Sequence, residues 1–267
     1  MPLSDIVLKY RLAGTIIHAG AHLVQEKDLY RDSGLEPVYW IEAIPELARK
    51  SKSLIKNYSS QTVLEGALWS HSGKSMLFNL SSNKLASSSF LRMGLHKIAF
   101  PEVSTTSQIT LTTVKMDDIP TIAKLKNVTL LVLDIQGAEL EALKGAEKTL
   151  TKVNYIFTEV SILPLYKNQP TYSELHTYLE TRGFSLLEFE VNDKTGHGNA
   201  LFGKNDYANQ AALALAEDLN SRMKFSFISQ IFRGISHEIF RMRRKLNDIG
   251  IPLYLMRRPG FLKRKSK

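Results

Sequence analysis

The sequence predicts an α/β domain built around a mostly parallel sheet, and three observations support that prediction. Strand-like and helix-like segments alternate along the chain. Residues 128–133 form an almost unbroken run of β-branched residues and leucine, as expected of a central parallel strand buried on both faces. Glu42, Asp134 and Glu159 each fall at the C-terminal end of an apolar run, and open α/β sheets bind their ligands at that edge.

The first half of the chain predicts four strands and two helices. Apolar runs indicate the strands, and Pro45 opens the second helix because proline is favoured in a first helical turn. The predicted order is a strand at 15–19, a helix at 25–31, a strand at 37–41, the helix from Pro45, and strands at 61–68 and 74–80. Residues 81–107 are rich in Ser and Asn, which predicts a long loop over the site.

In the second half of the chain, a strand is predicted at 109–114, and helices and strands alternate after it. Asp117 or Asp118 is expected to cap a short helix that ends near Leu125. Apolar residues at helical spacing predict one helix from Ala138 to Leu150. The remaining predicted elements are strands at 128–133 and 155–158, a helix at 172–181, and an antiparallel pair at 184–191 and 200–202.

Composition excludes several kinds of site. The chain of 267 residues contains no Cys, which excludes disulfides, thiolate metal sites and cysteine nucleophiles. No run approaches the roughly 18–20 apolar residues of a membrane-spanning helix, and the first residues lack the pattern of a signal peptide. We therefore expect a cytoplasmic protein, with peripheral contact to a membrane as an open alternative.

The positive charge of the chain is concentrated in a tail. Residues 221–267 hold 13 Lys and Arg against 2 Asp and Glu, whereas residues 1–220 hold 22 against 24. Ile228, Ile231, Ile235 and Ile239 recur at helical spacing beside basic residues, which predicts a basic amphipathic helix. Two interpretations stay open: the helix packs on the body of the protein, or it contacts an anionic membrane or an acidic partner.

Two features near the start of the chain indicate a nucleoside ligand. Gly20 directly follows the first strand and precedes a helix, so the backbone can turn tightly beside a ligand. Glu42 ends the second strand, where a carboxylate can accept both hydroxyls of a ribose. Val24 stands where a full Gly-x-Gly-x-x-Gly motif would have another glycine, which favours a ligand without a pyrophosphate.

The segment at 133–146 carries the most specific motif: an Asp, a Gly, an Ala-Glu pair and a later Leu-Lys-Gly-Ala. This motif resembles that of the FkbM family of methyltransferases. The resemblance extends over about residues 13–203 and includes the segments at 17–22, 40–45, 87–89, 158–161, 165–166 and 182–184. The resemblance implies a Rossmann-like methyltransferase sheet of seven strands with the last strand antiparallel. We therefore predict a methyltransferase domain at 1–205 and a helical basic extension at 206–267.

The resemblance also implies methyl transfer from S-adenosylmethionine to an oxygen, often a hydroxyl of a sugar or secondary metabolite. Gly20 would then lie under the methionine part of the cofactor, Glu42 on the ribose, residues 65–68 beside the adenine, and Asp134 close to the sulfonium. The full set of predicted cofactor-binding residues is His18, Gly20, Ala21, His22, Glu42, Ala43, Ala67 and Asp134.

A base that accepts the hydroxyl proton would assist such a transfer. Asp134 is the first candidate, with Glu159, His22 and His96 behind it, although Asp134 has the alternative role of holding the methionine amine or capping the next helix. Glu139 is expected to cap its helix. We predict no required metal, because no compact cluster of hard ligands is visible.

The predicted partner is a small-molecule or glycan acceptor, and two other functions stay open. The basic tail motivates an RNA or protein methyltransferase, but it lacks the interleaved aromatic residues of a base-stacking surface. His18 and Val24 depart from the common family pattern, which motivates a catalytically inactive module that binds S-adenosylmethionine.

Overall fold

The structure is a computed structural model in which residues 1–204 are described. The predicted basic helix and the extension at 206–267 lie outside the described residues, so the domain boundary stays a prediction. Among the helices of residues 1–204, none has the length and apolar character needed to cross a membrane.

The described residues form ten strands, seven of which make one sheet. In chain order the strands are β1 (Ile16–Ala19), β2 (Val38–Glu42), β3 (Gln61–Glu65), β4 (Ala67–Leu68), β5 (Ser75–Ser81), β6 (Thr105–Val114), β7 (Val128–Leu133), β8 (Val153–Ser161), β9 (Phe184–Val191) and β10 (His197–Lys204). The main sheet has the order β3-β2-β1-β7-β8-β10-β9. All pairs from β3 to β8 are parallel, and β10 is antiparallel to both neighbours. The predicted seven-stranded sheet with a reversed last strand is confirmed.

The helices cover both faces of this sheet. They are α1 (Leu3–Lys9), α2 (Lys27–Ser33), α3 (Pro45–Leu54), α4 (His96–Ala99), α5 (Pro120–Ala123), α6 (Glu139–Lys144), α7 (Glu147–Leu150) and α8 (Tyr172–Glu180). Alternate residues of β7 point to opposite faces: Leu131 joins the core beneath α5–α8, and Leu130 joins the core beneath α1–α3. Burial on both faces explains why every residue of β7 except Thr129 is apolar.

The strands predicted at 74–80 and 109–114 are present as β5 and β6, but they do not join the main sheet. β4, β6 and β5 form a separate three-stranded sheet, and the expected loop at 81–107 includes α4 and the first residues of β6. The predicted strand at 61–68 breaks at Gly66, whose N–H donates to the carbonyl oxygen of Glu42 at 2.9 Å. The chain therefore leaves the main sheet beside the end of β2.

Two local predictions in the next segment are also wrong. The single helix predicted from Ala138 divides at Gly145, where an added Cβ would lie 2.2 Å from the carbonyl oxygen of Trp69. Asp117 does not cap α5, because Ile119 holds that position. Its carboxylate instead accepts the N–H groups of Lys148 and Thr149, each at 2.8 Å, and so caps the first turn of α7.

Candidate functional site

A cavity opens at the C-terminal ends of β1, β2 and β7, the edge at which open α/β sheets bind their ligands. We call it the strand-end cavity. Its apolar wall, suited to a nucleobase, comes from Ile41, Leu47, Leu68, Phe78 and Phe90. Its polar lining includes Gly20, His22, Glu42, Ser88, Asp134 and Gln136.

Gly20 joins the ends of three strands at the floor of this cavity. Its N–H donates to the carbonyl oxygen of Ile41 at 3.0 Å, which ties β1 to β2. Its φ of +90° lies in the left-handed region, and an added Cβ would meet the carbonyl oxygen of Asp134 at 1.8 Å. Only glycine permits this close approach without displacing the backbone of β1 or β7.

Glu42 is a buried carboxylate whose position is fixed by backbone groups. One carboxylate oxygen accepts the N–H of His22 at 2.8 Å and the other accepts the N–H of Ile44 at 2.9 Å. Burial raises the pKa of Glu42, and these two hydrogen bonds partly oppose the increase. Glu42 also lines the strand-end cavity, so its carboxylate can accept a hydrogen bond from a hydroxyl group of a ligand.

A strained turn follows Asp134 and leads into α6. Gln136 and Gly137 both have positive φ, 57° and 91°, and such a conformation is uncommon for a non-glycine residue. The carboxylate of Glu139 accepts the N–H groups of Ile135 and Gly137, each at 3.1 Å, and so fixes the turn. Burial, followed by the charge of Glu159, raises the pKa of Glu139 to about 7.

A second cavity adjoins the first. It is lined by Asn83, Ala86, Ser87, His96, Phe100, Glu102, Val103, Asp134, Gln136, Glu159, Leu165, Tyr166, Gln169 and His197, and we call it the His197 cavity. Ala86, Asp134 and Gln136 belong to both linings, so these residues form the boundary between the two cavities. Two ligands held in the two cavities would therefore meet at Asp134.

His197 and Glu159 form an ion pair in the wall of the His197 cavity. The Nε2 atom of His197 lies 3.0 Å from Oε1 of Glu159. Burial alone would lower the pKa of His197, but the charge and hydrogen bond of Glu159 outweigh it and raise the pKa to about 9. His197 is therefore cationic at neutral pH.

Gln136 connects the two carboxylates of this region. Its Nε2 donates to Oδ1 of Asp134 at 2.8 Å and to Oε2 of Glu159 at 2.9 Å. Its Oε1 accepts the hydroxyl of Tyr166 at 2.9 Å. The strained backbone of Gln136 thus places one amide between two carboxylates, an arrangement that fixes their separation.

Most of the predicted site residues meet at these two cavities. Gly20, His22, Glu42, Ala43 and Asp134 line the strand-end cavity, and Asp134, Glu159 and His96 line the His197 cavity. Burial, followed by the charge of His197, lowers the pKa of His96. The assignment of these residues to cofactor binding or catalysis stays a prediction.

Three residues of the predicted cofactor-binding set, His18, Ala21 and Ala67, lie outside the lining of the strand-end cavity, and so does Glu65, predicted to lie beside the adenine. The Nδ1 atom of His18 lies 2.7 Å from the hydroxyl of Tyr30, its ring packs on Trp40, and burial lowers its pKa to about 3. Ala21 is buried in the core beneath α1–α3, and Ala67 lines a groove beside β6. The flanking residues Gly66 and Leu68 reach the strand-end cavity instead.

Sequence reasoning missed His197 and the connecting role of Gln136. Gln136 is part of the motif at 133–146, but nothing in that pattern indicates its contact with Glu159. His197 lies 38 positions after Glu159 and meets it only because β10 pairs with β8. Within residues 1–204, no group of three or more His, Asp or Glu side chains is arranged to hold a metal ion. The expectation that no metal is required stays a prediction.

The sheet order and the strand-end cavity together define an α/β protein with an apolar wall, the fixed carboxylate of Glu42 and the side chain of Asp134 gathered at one edge of its sheet. A model of the FkbM methyltransferase domain matches residues 18–186. The chain belongs to this family of S-adenosylmethionine-dependent methyltransferases.

Three individual proteins are also similar to this chain, over part of its sequence or in their fold. The 2-O-methyltransferase NoeI of Sinorhizobium fredii is 39% identical over 61 residues, which are 23% of this chain and 25% of that relative. The structure of M. capricolum TrmK with S-adenosylhomocysteine has a TM-score of 0.43 at 9% identity, covering 79% of this chain and 71% of that one. A methyltransferase of Aquifex aeolicus has a TM-score of 0.42 at 13% identity, covering 74% of this chain and 88% of that one.

Proposed function

We propose that this enzyme transfers a methyl group from S-adenosylmethionine to a hydroxyl oxygen of a sugar, a glycan or a secondary metabolite. The observation that supports the proposal is the junction of the two cavities. The donor occupies the strand-end cavity, the acceptor occupies the His197 cavity, and Asp134 and Gln136 belong to both linings. A shared boundary of this kind lets two substrates meet in a fixed relative orientation.

The lining of the His197 cavity favours an uncharged acceptor with hydroxyl groups. Glu102 and Asp134 contribute carboxylates, which repel a phosphodiester backbone and accept hydrogen bonds from hydroxyls, while Glu159 balances the positive charge of His197. Asn83 and Gln169 add amides that donate and accept. This chemistry weighs against the alternative of an RNA acceptor. The name of the partly similar NoeI, a 2-O-methyltransferase, also supports an oxygen acceptor.

The residues of the chain orient the two substrates and provide a group that accepts the hydroxyl proton. Glu42 holds the ribose, and the apolar wall excludes water from the adenine. The sulfonium supplies an already activated methyl group, so the acceptor oxygen needs alignment and the loss of its proton. Asp134 lies where the two substrates meet and is the proposed proton acceptor, while Gln136 holds it in place.

The test is to incubate the full chain with methyl-labelled S-adenosylmethionine and a native extract, followed by separation of glycan, lipid, small molecules, protein and RNA. We expect label in the glycan or small-molecule fraction, with an alkali-stable ether bond to oxygen. An Asp134→Asn variant should abolish the label, and an Asp193→Asn variant, altered at an exposed turn, should keep it. Label confined to RNA or protein would contradict the proposal. Absence of label from every fraction, with donor binding intact, would favour the inactive module.

A further inference from the structure

We propose that His96 binds a hydroxyl group of the acceptor other than the one that receives the methyl group, and that the acceptor is a sugar ring packed on Phe100 and Tyr166. His96 is then an acceptor-binding residue rather than one of the candidate bases. This inference rests on the proposed function, because it describes how the acceptor is held at the same site.

The ring of His96 lines the His197 cavity without a hydrogen-bond partner. Only 3% of the residue is exposed, and neither ring nitrogen makes a hydrogen bond within residues 1–204. Nδ1 is sealed from solvent, whereas Nε2 is not, so Nε2 is the nitrogen left for a ligand in the cavity. Buried polar groups in folded proteins are almost always hydrogen-bonded, and a bound acceptor supplies the missing partner.

Packing fixes this ring before an acceptor arrives. The backbone N–H of His96 donates to the carbonyl oxygen of Leu165 at 2.8 Å, which ties α4 to the segment that carries Tyr166. The centroid of the His96 ring lies 5.0 Å from that of Phe100 and 5.2 Å from that of Tyr166. A polar group held in place in this way binds a ligand with little further loss of conformational entropy.

The chemistry of His96 suits a hydroxyl group. Glu159, a carboxylate of the same cavity, is already engaged by His197 and by Gln136, so it does not pair with His96. Burial, followed by the charge of His197, lowers the pKa of His96, and the charges of Glu159 and Glu102 oppose the decrease without cancelling it. The Nε2 atom of a neutral imidazole donates in one tautomer and accepts in the other, and a hydroxyl can pair with either.

Phe100 and Tyr166 supply the apolar part of the same site. Both line the His197 cavity, and the ring of Phe100 also meets His197 edge-on, with centroids 6.1 Å apart. A sugar ring presents C–H groups on its faces and hydroxyls around its edge, so it matches aromatic side chains beside a few fixed polar groups. An acceptor with a single hydroxyl lacks the second group that His96 binds.

The test compares substitutions that keep or remove the hydrogen-bonding atom of His96. His96→Phe keeps a ring without nitrogen, whereas His96→Gln keeps an amide that can donate and accept. His71→Phe is the matched control, because His71 is exposed and lines neither cavity. Initial rates of label transfer from methyl-labelled S-adenosylmethionine are measured for each full-length protein against serial dilutions of the neutral sugar and glycan fraction of a native extract.

We expect His96→Phe to raise the half-saturating amount of this fraction about 10- to 100-fold, because one acceptor hydroxyl is left unpaired. The maximal rate and the affinity for S-adenosylmethionine should change little, since the lost contact is present in the ground state and in the transition state. His96→Gln should recover most of the loss, and His71→Phe should behave like the wild type. His96→Leu replaces His96→Phe if that variant does not fold.

A second measurement identifies the hydroxyl that His96 binds. Hydrolysis of the labelled fraction yields the methylated sugar, and monodeoxy methyl glycosides of that sugar then serve as acceptors. One of these analogues should lower kcat/KM of the wild type about 10- to 100-fold and leave His96→Phe little affected, because the two changes remove the same contact.

Three outcomes overturn the inference alone. They are an unchanged half-saturating amount in the nitrogen-free variant, a labelled acceptor with no hydroxyl besides the methylated one, and additive losses for every deoxy position combined with His96→Phe. A lower maximal rate at an unchanged half-saturating amount also overturns it, because His96 then acts in the chemical step. Label confined to RNA or protein, or absent from every fraction, contradicts the proposed function as well.

Discussion

Gly20 and Asp134 lie in such close contact that a single added carbon at Gly20 would come within 1.8 Å of the Asp134 carbonyl oxygen. This contact joins the end of the first strand to the end of the central strand. Because Glu42 lies at the end of the strand on the other side of β1, the three positions share one sheet edge. The site therefore depends on how closely these strand ends pack, as well as on the side chains they carry.

Gly20→Ala should destabilise the fold and weaken donor binding. The new methyl group must displace the backbone of β7, and we expect a loss of about 3 kcal/mol or more in the free energy of unfolding. Gly73→Ala is the matched control, because Gly73 also has positive φ but has open space around its Cβ position. It should lose only about 1 kcal/mol from backbone strain. Equal losses in denaturant unfolding of the two variants would contradict the proposed clash.

His18 should make the protein less stable in mild acid. Burial lowers its pKa to about 3, so the folded state keeps His18 neutral while the unfolded chain binds a proton below about pH 6.5. The stabilisation is complete above that pH and is lost as pH falls. Between pH 6.5 and 4.5 we expect the wild type to lose about 2–3 kcal/mol more than His18→Phe. The check is denaturant unfolding of both proteins at each pH. Parallel stability curves would show that His18 does not contribute.

The ion pair of His197 should have the opposite pH dependence. Since its folded pKa is raised to about 9, the stabilisation is complete below about pH 6.5 and is lost as pH rises through 9. We expect a loss on the order of 2 kcal/mol over this range in the wild type, and little in His197→Gln. In a double-mutant cycle, adding Glu159→Gln to His197→Gln should cost much less than Glu159→Gln alone. Additive losses would mean that the two side chains do not interact.

The sheet could be predicted from sequence because its signals are local. The almost unbroken apolar run of β7 and the acidic residues at strand ends identify a parallel sheet and its functional edge without any long-range information. The segment between Gly66 and Val114 could not be placed in the same way. Its strands alternate like any other, and nothing local indicates that β5 and β6 pair with each other outside the main sheet.

The site residues that belong to a local sequence motif could be predicted. Those that reach the site only through the pairing of strands distant in sequence could not. Glu42 and Asp134 follow recognisable strand ends, whereas His197 enters the site only through the pairing of β10 with β8. His18 shows the converse case. It adjoins the Gly20 turn in sequence, but the alternation of a strand directs its ring into the aromatic core with Tyr30 and Trp40.

The most direct test of the central claim is the affinity for S-adenosylmethionine of the wild type, Glu42→Gln and Glu65→Gln. Glu42 and Glu65 are neighbours in register on β2 and β3, but Glu42 lines the strand-end cavity and Glu65 lines a separate groove. Calorimetry should show binding by the wild type, an affinity weakened about 10- to 100-fold in Glu42→Gln through lost hydrogen bonds to a charged group, and no change in Glu65→Gln. Equal affinities in all three proteins, or no binding by the wild type, would contradict the account.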